Sequence, residues 1–429
     1  MLSLRPLRAQ APALALLALL AACDRTPDPR PPPPTPKPTP AAAPETSVVA
    51  IDTALARAAA FLRTQQGVDG AFRSELYPAF RDGYSLSPLA LTALRQLADP
   101  DAGYRRGVDF TASLVQAGGL RRDVDAPRYP LYALAGALLV LNVDDNVRHD
   151  AQRAVIAREL AARQLGDALG YPRSHPSHGG FSYSSALQVP RHAGAADDRD
   201  SGANLSATLF AIGALRLAGT PDQDPALQQA LGFVQRCQNF AERPQDADAR
   251  FDDGGFFFSP AVDDPNKAGS PGRDRNGRLR HRSYGSMTAD GVRALLQLGA
   301  GTDAPRVRAA AAWLERHFDP AKNPGSFPKN AEVRRESAYY YYAWSVAHAL
   351  RALGKANLQT AHGPQHWPRA LAQALLARQA PDGSFRNAYT ELREDDPLVA
   401  TPLAAAALAV ARSVLTGQHR SHRRTHGAP

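Results

Sequence analysis

The stretch LLARQAPDGSF, Leu375 to Phe385, decides the fold, because far upstream FLRTQQGVDGAF, Phe61 to Phe72, repeats it almost word for word. Each is a helix-like segment ending near glutamine, then a short loop, then a glycine followed closely by an aromatic. The phrase returns at Gly179-Gly180-Phe181, Gly254-Gly255-Phe256 and Gly325-Ser326-Phe327. A degraded copy, Gly118-Gly119-Leu120, fills the widest gap and brings the count to six. Repetition of this kind marks a chain built from supersecondary units that cannot bury their apolar faces alone.

A strongly apolar segment at helical spacing follows each turn. These are LSPLALTALRQL from Leu86, LYALAGALLVLN from Leu131, NLSATLFAIGALRLAG from Asn204, YGSMTADGVRALLQLG from Tyr284, AYYYYAWSVAHALRALG from Ala338 and VATPLAAAALAVAR from Val399. With few charges on any face they read as buried inner helices. The segments before the turns, such as DTALARAAAFLRTQQ from Asp52 and PRVRAAAAWLERHF from Pro305, carry Arg, Glu and Gln on one side. They read as outer helices with one face in water. Six outer-inner hairpins close most simply into a ring. The expectation is therefore an all-α (α/α)6 toroid over residues 48–415, an inner barrel of parallel helices inside an outer barrel.

Within the repeats, Arg57, Phe61, Leu62, Gln65, Gly70 and Phe72, and again Arg369, Leu375, Leu376, Gln379, Gly383 and Phe385, resemble the QW repeat. That repeat belongs to squalene and other triterpene cyclases and to protein prenyltransferase β-subunits, here with Phe where Trp is usual. The likeness runs from about residue 50 to about 415 and extends to uncharacterised bacterial repeat proteins of lipoprotein type. It specifies fold better than chemistry. The resemblance implies a DxDD acid motif for a cyclase, and none occurs; DVDA at Asp123, VDDN at Val143 and VDDP at Val262 read as loop strings. It implies a zinc site of Asp, Cys and His for a prenyltransferase, yet Cys237 reads as a buried inert residue and His348 as a core histidine. His175 and His178 have ligand-like spacing without other donors beside them. No metal and no cofactor is expected.

Parallel inner helices bring their positive N-terminal ends to one mouth of the ring. Polar groups stand near those ends: Asp82, Tyr84, Asp200, Asn204, His281, Tyr284, Ser286, Asp290, Tyr339, Tyr340, Asp395, Asp396 and Thr401. Helix capping explains Ser and Asn at such places. The tyrosines with Trp344 suit a prenyl chain or a sugar ring. Candidate ligand-binding residues are thus Tyr84, Asn204, His281, Tyr284, Ser286, Tyr339, Tyr340 and Trp344. Asp200, Asp253 and Asp290 are the candidate catalytic carboxylates, since glycan hydrolysis needs a pair about 5 to 10 Å apart. Phe210, Met287 and Trp344 are candidates for plugging the ring's centre.

Outside the repeats, Arg5 and Arg8 precede the apolar run APALALLALLAA, the pattern of a secretory signal. The run ends in LAAC, which resembles the lipobox of bacterial lipoproteins, with Cys23 as the lipidated residue. Residues 1–22 then form the signal peptide. Asp24, after the cysteine, favours retention at the inner membrane. Residues 23–47 are Pro-rich and extended, a tether on the order of 70 Å long at about 3.1 Å per residue. The formal charge is +9, with a local concentration in residues 416–429, a basic, disordered tail holding His419, His422 and His426. Export argues against a nucleic-acid partner. The expected partners are a lipid bilayer, reached through Cys23, an apolar or glycan ligand, and an envelope protein. The sequence reading is an envelope-located, periplasm-facing ring that binds a ligand at its mouth. The alternative is an enzyme of the terpenoid cyclase and prenyltransferase-like class acting on envelope carbohydrate or an isoprenoid.

Overall fold

The computed structural model describes residues 47–97, 100–121, 129–143, 147–185, 202–260 and 266–417. The lipobox with Cys23 and Asp24, the tether to residue 46, the tail histidines, Asp123, Asp200 and the aspartates of the VDDN and VDDP strings lie outside them. Along the chain the helices are α1 (Val48–Thr64), α2 (Leu86–Leu97), α3 (Ala102–Ala112), α4 (Pro130–Asn142), α5 (Asp150–Ala161), α6 (Leu205–Leu217) and α7 (Pro225–Arg236). They continue with α8 (Gly285–Gln297), α9 (Pro305–His317), a single short turn α10 (Glu332–Glu336), α11 (Tyr339–Ala352), α12 (Trp367–Leu376) and α13 (Pro397–Leu415).

Packing closes these helices into a ring. α2 lies against α4, α4 against α6, α6 against α8, α8 against α11, α11 against α13, and α13 returns to α2. This inner barrel is built from the six apolar segments. Around it stand α1, α3, α5, α7, α9 and α12, and α1 contacts both α2 and α13, which joins the first hairpin to the last. The fold is an (α/α)6 toroid. Strand structure among the described residues is limited to four antiparallel pairs. The longest is Asn357–Thr360 with Gly363–His366, which leads into α12.

The repeated phrase works as a stitch between neighbouring hairpins. The side-chain amide of Gln66 donates to the carbonyls of Gly70 (2.8 Å) and Gly103 (2.9 Å), one in its own turn and one in the first turn of the next outer helix. Gln164 does the same to Gly179 and Ala226, and Gln238 to Gly254 and Arg306. Gln379 donates to Gly383 (3.0 Å) and to Ala54 (2.8 Å), so the last repeat is sewn to the first helix. The amide satisfies carbonyls that helix starts and turns otherwise leave unpaired. In the first copy the stitching residue is Gln66; Gln65, in the QW register, points outward to Thr64.

Glycine is required in these turns by contact as well as by conformation. At Gly179 (φ +83°) an added Cβ would lie 2.1 Å from the Gln229 carbonyl oxygen, and at Gly383 (φ +89°) 2.4 Å from that of Arg57. The aromatic that follows donates its backbone N–H to a hydroxyl in the first turns of the adjoining inner helix. The pairs are Phe72 to Ser87, Phe181 to Thr208, Phe256 to Thr288 and Phe385 to Thr401, all at 2.8–3.0 Å. All four rings are buried. The degraded copy is looser: nothing lies within 4 Å of a Cβ at Gly118.

Candidate functional site

The barrel is hollow. A cavity of about 790 Å³ lies inside it, lined by residues from all six inner helices and by the loop after α6. Its walls are mostly apolar: Pro88 and Leu89 of α2, Ala135 and Leu139 of α4, Leu209 and Phe210 of α6, Pro402 and Leu403 of α13. Exposure rises toward the C-terminal ends of the inner helices, where Gln96, Leu217 and Asp222 stand at the rim. The cavity therefore opens there. At the opposite level Tyr132 and Tyr341, both buried, form part of the wall.

Aromatic packing shapes the middle of the cavity. Trp344 stacks on Phe210 with centroids 5.5 Å apart and planes at 21°, and Tyr132 meets Phe210 edge-on at 5.2 Å. The guanidinium of Arg293 covers the Trp344 ring at 4.0 Å. The sequence left open whether side chains such as Phe210 and Trp344 plug the ring; both line it. Met287 is buried and off the cavity wall. Small residues shape the space: at Gly213 a larger side chain would enter it, whereas Gly136 lets α4 approach α2, a Cβ there falling 2.6 Å from Pro88.

Behind this wall lies a polar network. Asp290 is wholly buried, and its two carboxyl oxygens accept from Tyr341 Oη (2.6 Å) and Ser345 Oγ (2.5 Å). Arg293 Nη1 donates to Ser345 Oγ at 3.2 Å and stands 3.8 Å from the carboxyl. Tyr341 Oη also meets Ser206 Oγ at 2.8 Å, and Ser206 meets Tyr132 Oη at 3.4 Å. Burial pushes the Asp290 carboxyl up to about 6, against the pull of Arg293 and the two hydroxyls. The arrangement holds an acid next to a hydroxyl that lines the cavity.

The other residues singled out from sequence lie elsewhere. Asn204 caps α6, accepting from Ala207 N at 2.9 Å, and Ser286 is held by Asn323 at the start of α8. Tyr84 stacks on Phe110 at 4.7 Å and receives a bond from Arg121. Tyr339 and Tyr340 donate to the carbonyls of Pro320 and Arg386, and line a smaller cleft of about 210 Å³ outside the barrel. Tyr284 is buried beside Phe327. His281 sits with Phe257 in a separate polar cleft, also about 210 Å³, where burial and Arg278 and Arg280 lower its pKa to about 4. Asp253 pins a turn, accepting from Gly255 N, Ser283 Oγ and Trp313 Nε1. Of the described candidates, Trp344 lines the central cavity and Asp290 touches it through Tyr341.

The N-terminal mouth is occupied by structure. Glu394, buried, accepts from the backbone N–H groups of Tyr340 (2.9 Å) and Tyr341 (2.8 Å) and caps α11 from a distance, while burial pushes its carboxyl up to about 8. Asp396 caps α13, and Asp395 accepts from Tyr77 Oη. Cys237 is buried at the C-cap of α7, and His348 bonds the Trp344 carbonyl, with burial lowering it to about 3. His178 pairs with Asp167 at 3.0 Å. Among the described residues no group of three or more His, Cys, Asp or Glu side chains is arranged to hold a metal ion.

Sequence reasoning missed Arg293, Tyr132 and Gly213, and singled out Tyr341 only as one of the run Tyr339 to Tyr342, at least one of which should face the cavity. One signal was present: Arg293 is a charge set between Val292 and Ala294 on a helix otherwise apolar enough to be buried.

No protein-family model and no curated protein matches this sequence. Solved structures of similar fold do exist. An unsaturated glucuronyl hydrolase specific for heparin aligns with 12% identity over 86% of this chain and 99% of its own, with a TM-score of 0.55. The type II terpene cyclase MstE from Scytonema, in complex with geranylgeranyl dihydroxybenzoate, aligns with 14% identity over 86% and 98%, with a TM-score of 0.48. What the hydrolase match shows is the shared α/α toroid fold alone, and fold does not imply function.

Proposed function

We propose that this protein is an envelope-tethered ring that binds an elongated apolar ligand in its central cavity. The supporting observation is the cavity itself: about 790 Å³, walled by aliphatic and aromatic side chains of six helices. Its size is typical of small-molecule sites, and an apolar cavity of this kind stays poorly hydrated until an apolar group enters. A glycan is disfavoured, because Asp222 at the rim is the one acid among the described lining residues. Lipidation of Cys23 would hold the ring near a membrane, where such ligands are found. Incorporation of labelled fatty acid into the chain, lost in Cys23→Ser, tests the tether. Mass spectrometry of the purified full chain, native and after organic extraction, tests the cavity. A stoichiometric apolar species is expected, and an empty spectrum from lipid-replete cells would refute the reading.

A second reading is supported by Asp290, an acid held partly protonated near neutral pH one hydrogen bond behind the cavity wall. In that reading the ring is an enzyme in which protonated Asp290 feeds a proton through the Tyr341 hydroxyl to an isoprenoid double bond, and the proton lost from the resulting cation returns along the same path to restore the acid. Asp290→Asn would then abolish turnover while leaving ligand retention intact. A pure binder would show only the retention.

A further inference from the structure

The cavity wall is not uniform. α2 and α4 offer it Pro88, Leu89, Ala135 and Leu139, whereas α8 offers Arg293 and, one turn further toward the rim, Gln297. The Arg293 guanidinium is only half used. Nη1 is taken by Ser345, and the flat face lies on Trp344. Nε and Nη2 have no acceptor among the described residues. Asp290 does not fill that place, because Tyr341 and Ser345 hold its oxygens and it lies behind the wall at 3.8 Å from Nη1. The side-chain carbonyl oxygen of Gln297 is also buried without a partner. The other guanidinium on the wall, Arg216 at the rim, is paired with Asp222.

An arginine that keeps two parallel N–H donors free in an apolar enclosure matches one kind of group well. Carboxylate and phosphate oxygens accept both bonds at once, whereas an alcohol or an ester oxygen accepts one. These donors face the open space of the cavity rather than a protein acceptor, so they are available to a ligand that completes both. Resting on the reading of the cavity as a ligand site, we infer that its occupant is an amphiphile, with an anionic head, carboxylate or phosphate, seated on Nε and Nη2 of Arg293. Its apolar chain lies against the aliphatic wall of α2, α4 and α13.

The test uses the full chain, stripped of bound lipid on a hydrophobic resin. Three probes of equal chain length are titrated: hexadecanoate, hexadecyl phosphate and hexadecan-1-ol. In the wild type at least one anion should bind about tenfold to a hundredfold tighter than the alcohol, the range expected for charge-assisted hydrogen bonds. Arg293→Gln should bring that anion's affinity down to the alcohol's without weakening the alcohol. Arg293→Lys keeps the charge, loses the fork and should fall between. It also decides the question should circular dichroism show Arg293→Gln unfolded. Preference for hexadecanoate would assign a fatty-acid type of ligand, and preference for hexadecyl phosphate a phosphorylated lipid. Equal binding of anions and alcohol, unchanged by either variant, would overturn the anionic head and leave the apolar cavity standing. Absence of all binding, in wild type and in the cavity-filling variant Gly213→Phe alike, would overturn the cavity reading and this inference with it.

Discussion

The two ends of the inner barrel are made from the same helices and do opposite things. At the N-terminal end the polar groups that the repeats supply mostly bond the fold itself, with Asn204 Nδ2 and Tyr284 Oη buried there without a partner among the described residues. Thr288, Thr401 and Ser87 receive backbone N–H groups, Asn204 and Asp396 cap helices, and Glu394 caps α11. At the C-terminal end the helices share only the plainer ending Ala-Leu-x-x-x-Gly, at Ala214, Ala294 and Ala349, and there the barrel opens, with Arg293 bonded through Nη1 and Gln297 Oε1 buried without a partner on the wall. The recognisable residues thus hold the ring closed, and the unremarkable ones shape its cavity. Motif density in such a toroid marks where stability resides.

Substitutions at the two ends should separate the two roles. The largest effect is expected at the stitched turns. Gly179→Ala puts a methyl group into the Gln229 backbone at a positive φ and should cost about 3 to 5 kcal/mol, strain and overpacking together. Gly118→Ala, in the open degraded copy, should cost about 1 kcal/mol, the conformational penalty alone. Urea denaturation of both variants reads the difference, and equal losses would break the link between motif and stitch.

Next in size is the stitch itself. Gln238→Leu leaves the Gly254 and Arg306 carbonyls without their donor in a buried position and should cost about 2 to 4 kcal/mol. Gln65→Leu, on the surface of the first copy beside the stitching Gln66, should change stability by less than about 0.5 kcal/mol. The pair tests which glutamine of the first copy's kind carries the load, by chemical denaturation.

Asp290 predicts a pH dependence of roughly 2 to 3 kcal/mol. Its carboxyl titrates near 6 in the folded ring and near 3.8 when free, so the native state binds the extra proton between those values. The groups facing it are Tyr341 and Ser345 from α11, Arg293 from its own helix, and the charge of Lys267. A raised folded pKa gives stability that is complete below the free value and is lost as pH rises through about 6. Thermal melts should therefore decline from pH 4 to pH 7, with Glu394, raised to about 8, adding to the fall, and Asp290→Asn should remove the Asp290 share of that slope.

Much of this architecture was legible before any coordinates, and the reason is local. Glycine, glutamine and an aromatic recur because each copy solves the same contact with its neighbour, so repetition reports the ring directly. The candidate site was less legible. Tyr339 and Tyr340 were conspicuous in a run of tyrosines, yet their hydroxyls turn outward to the Pro320 and Arg386 carbonyls. Which way a side chain on a buried helix points depends on helix rotation within the barrel, and four consecutive tyrosines fit every rotation. Arg293 was inconspicuous for the complementary reason. An arginine within a segment that reads as buried carries no sign of which neighbour it faces, and only closure of the ring makes its face an interior wall. Glu394 was lost within a loop of charges whose burial follows from packing against α11.

The smallest effect expected is also the cleanest contrast, because one substitution serves both ends. Thr288→Val keeps the shape of a buried side chain but removes the hydroxyl that Phe256 N donates to, at 3.0 Å, and should cost about 1 to 2 kcal/mol. Thr92→Val is the same change on the cavity wall, where the hydroxyl donates only to the Pro88 carbonyl of its own helix. That carbonyl sits in the helical ladder, so the loss should stay within about 0.5 kcal/mol, and the added methyl makes the wall more apolar. Melting curves should rank the two variants in that order, and retention of a bound apolar ligand should rank them in reverse. If Thr92→Val proved as destabilising as Thr288→Val, the open end would be under the same structural constraint as the stitched one, and the division of labour between the two ends would fail.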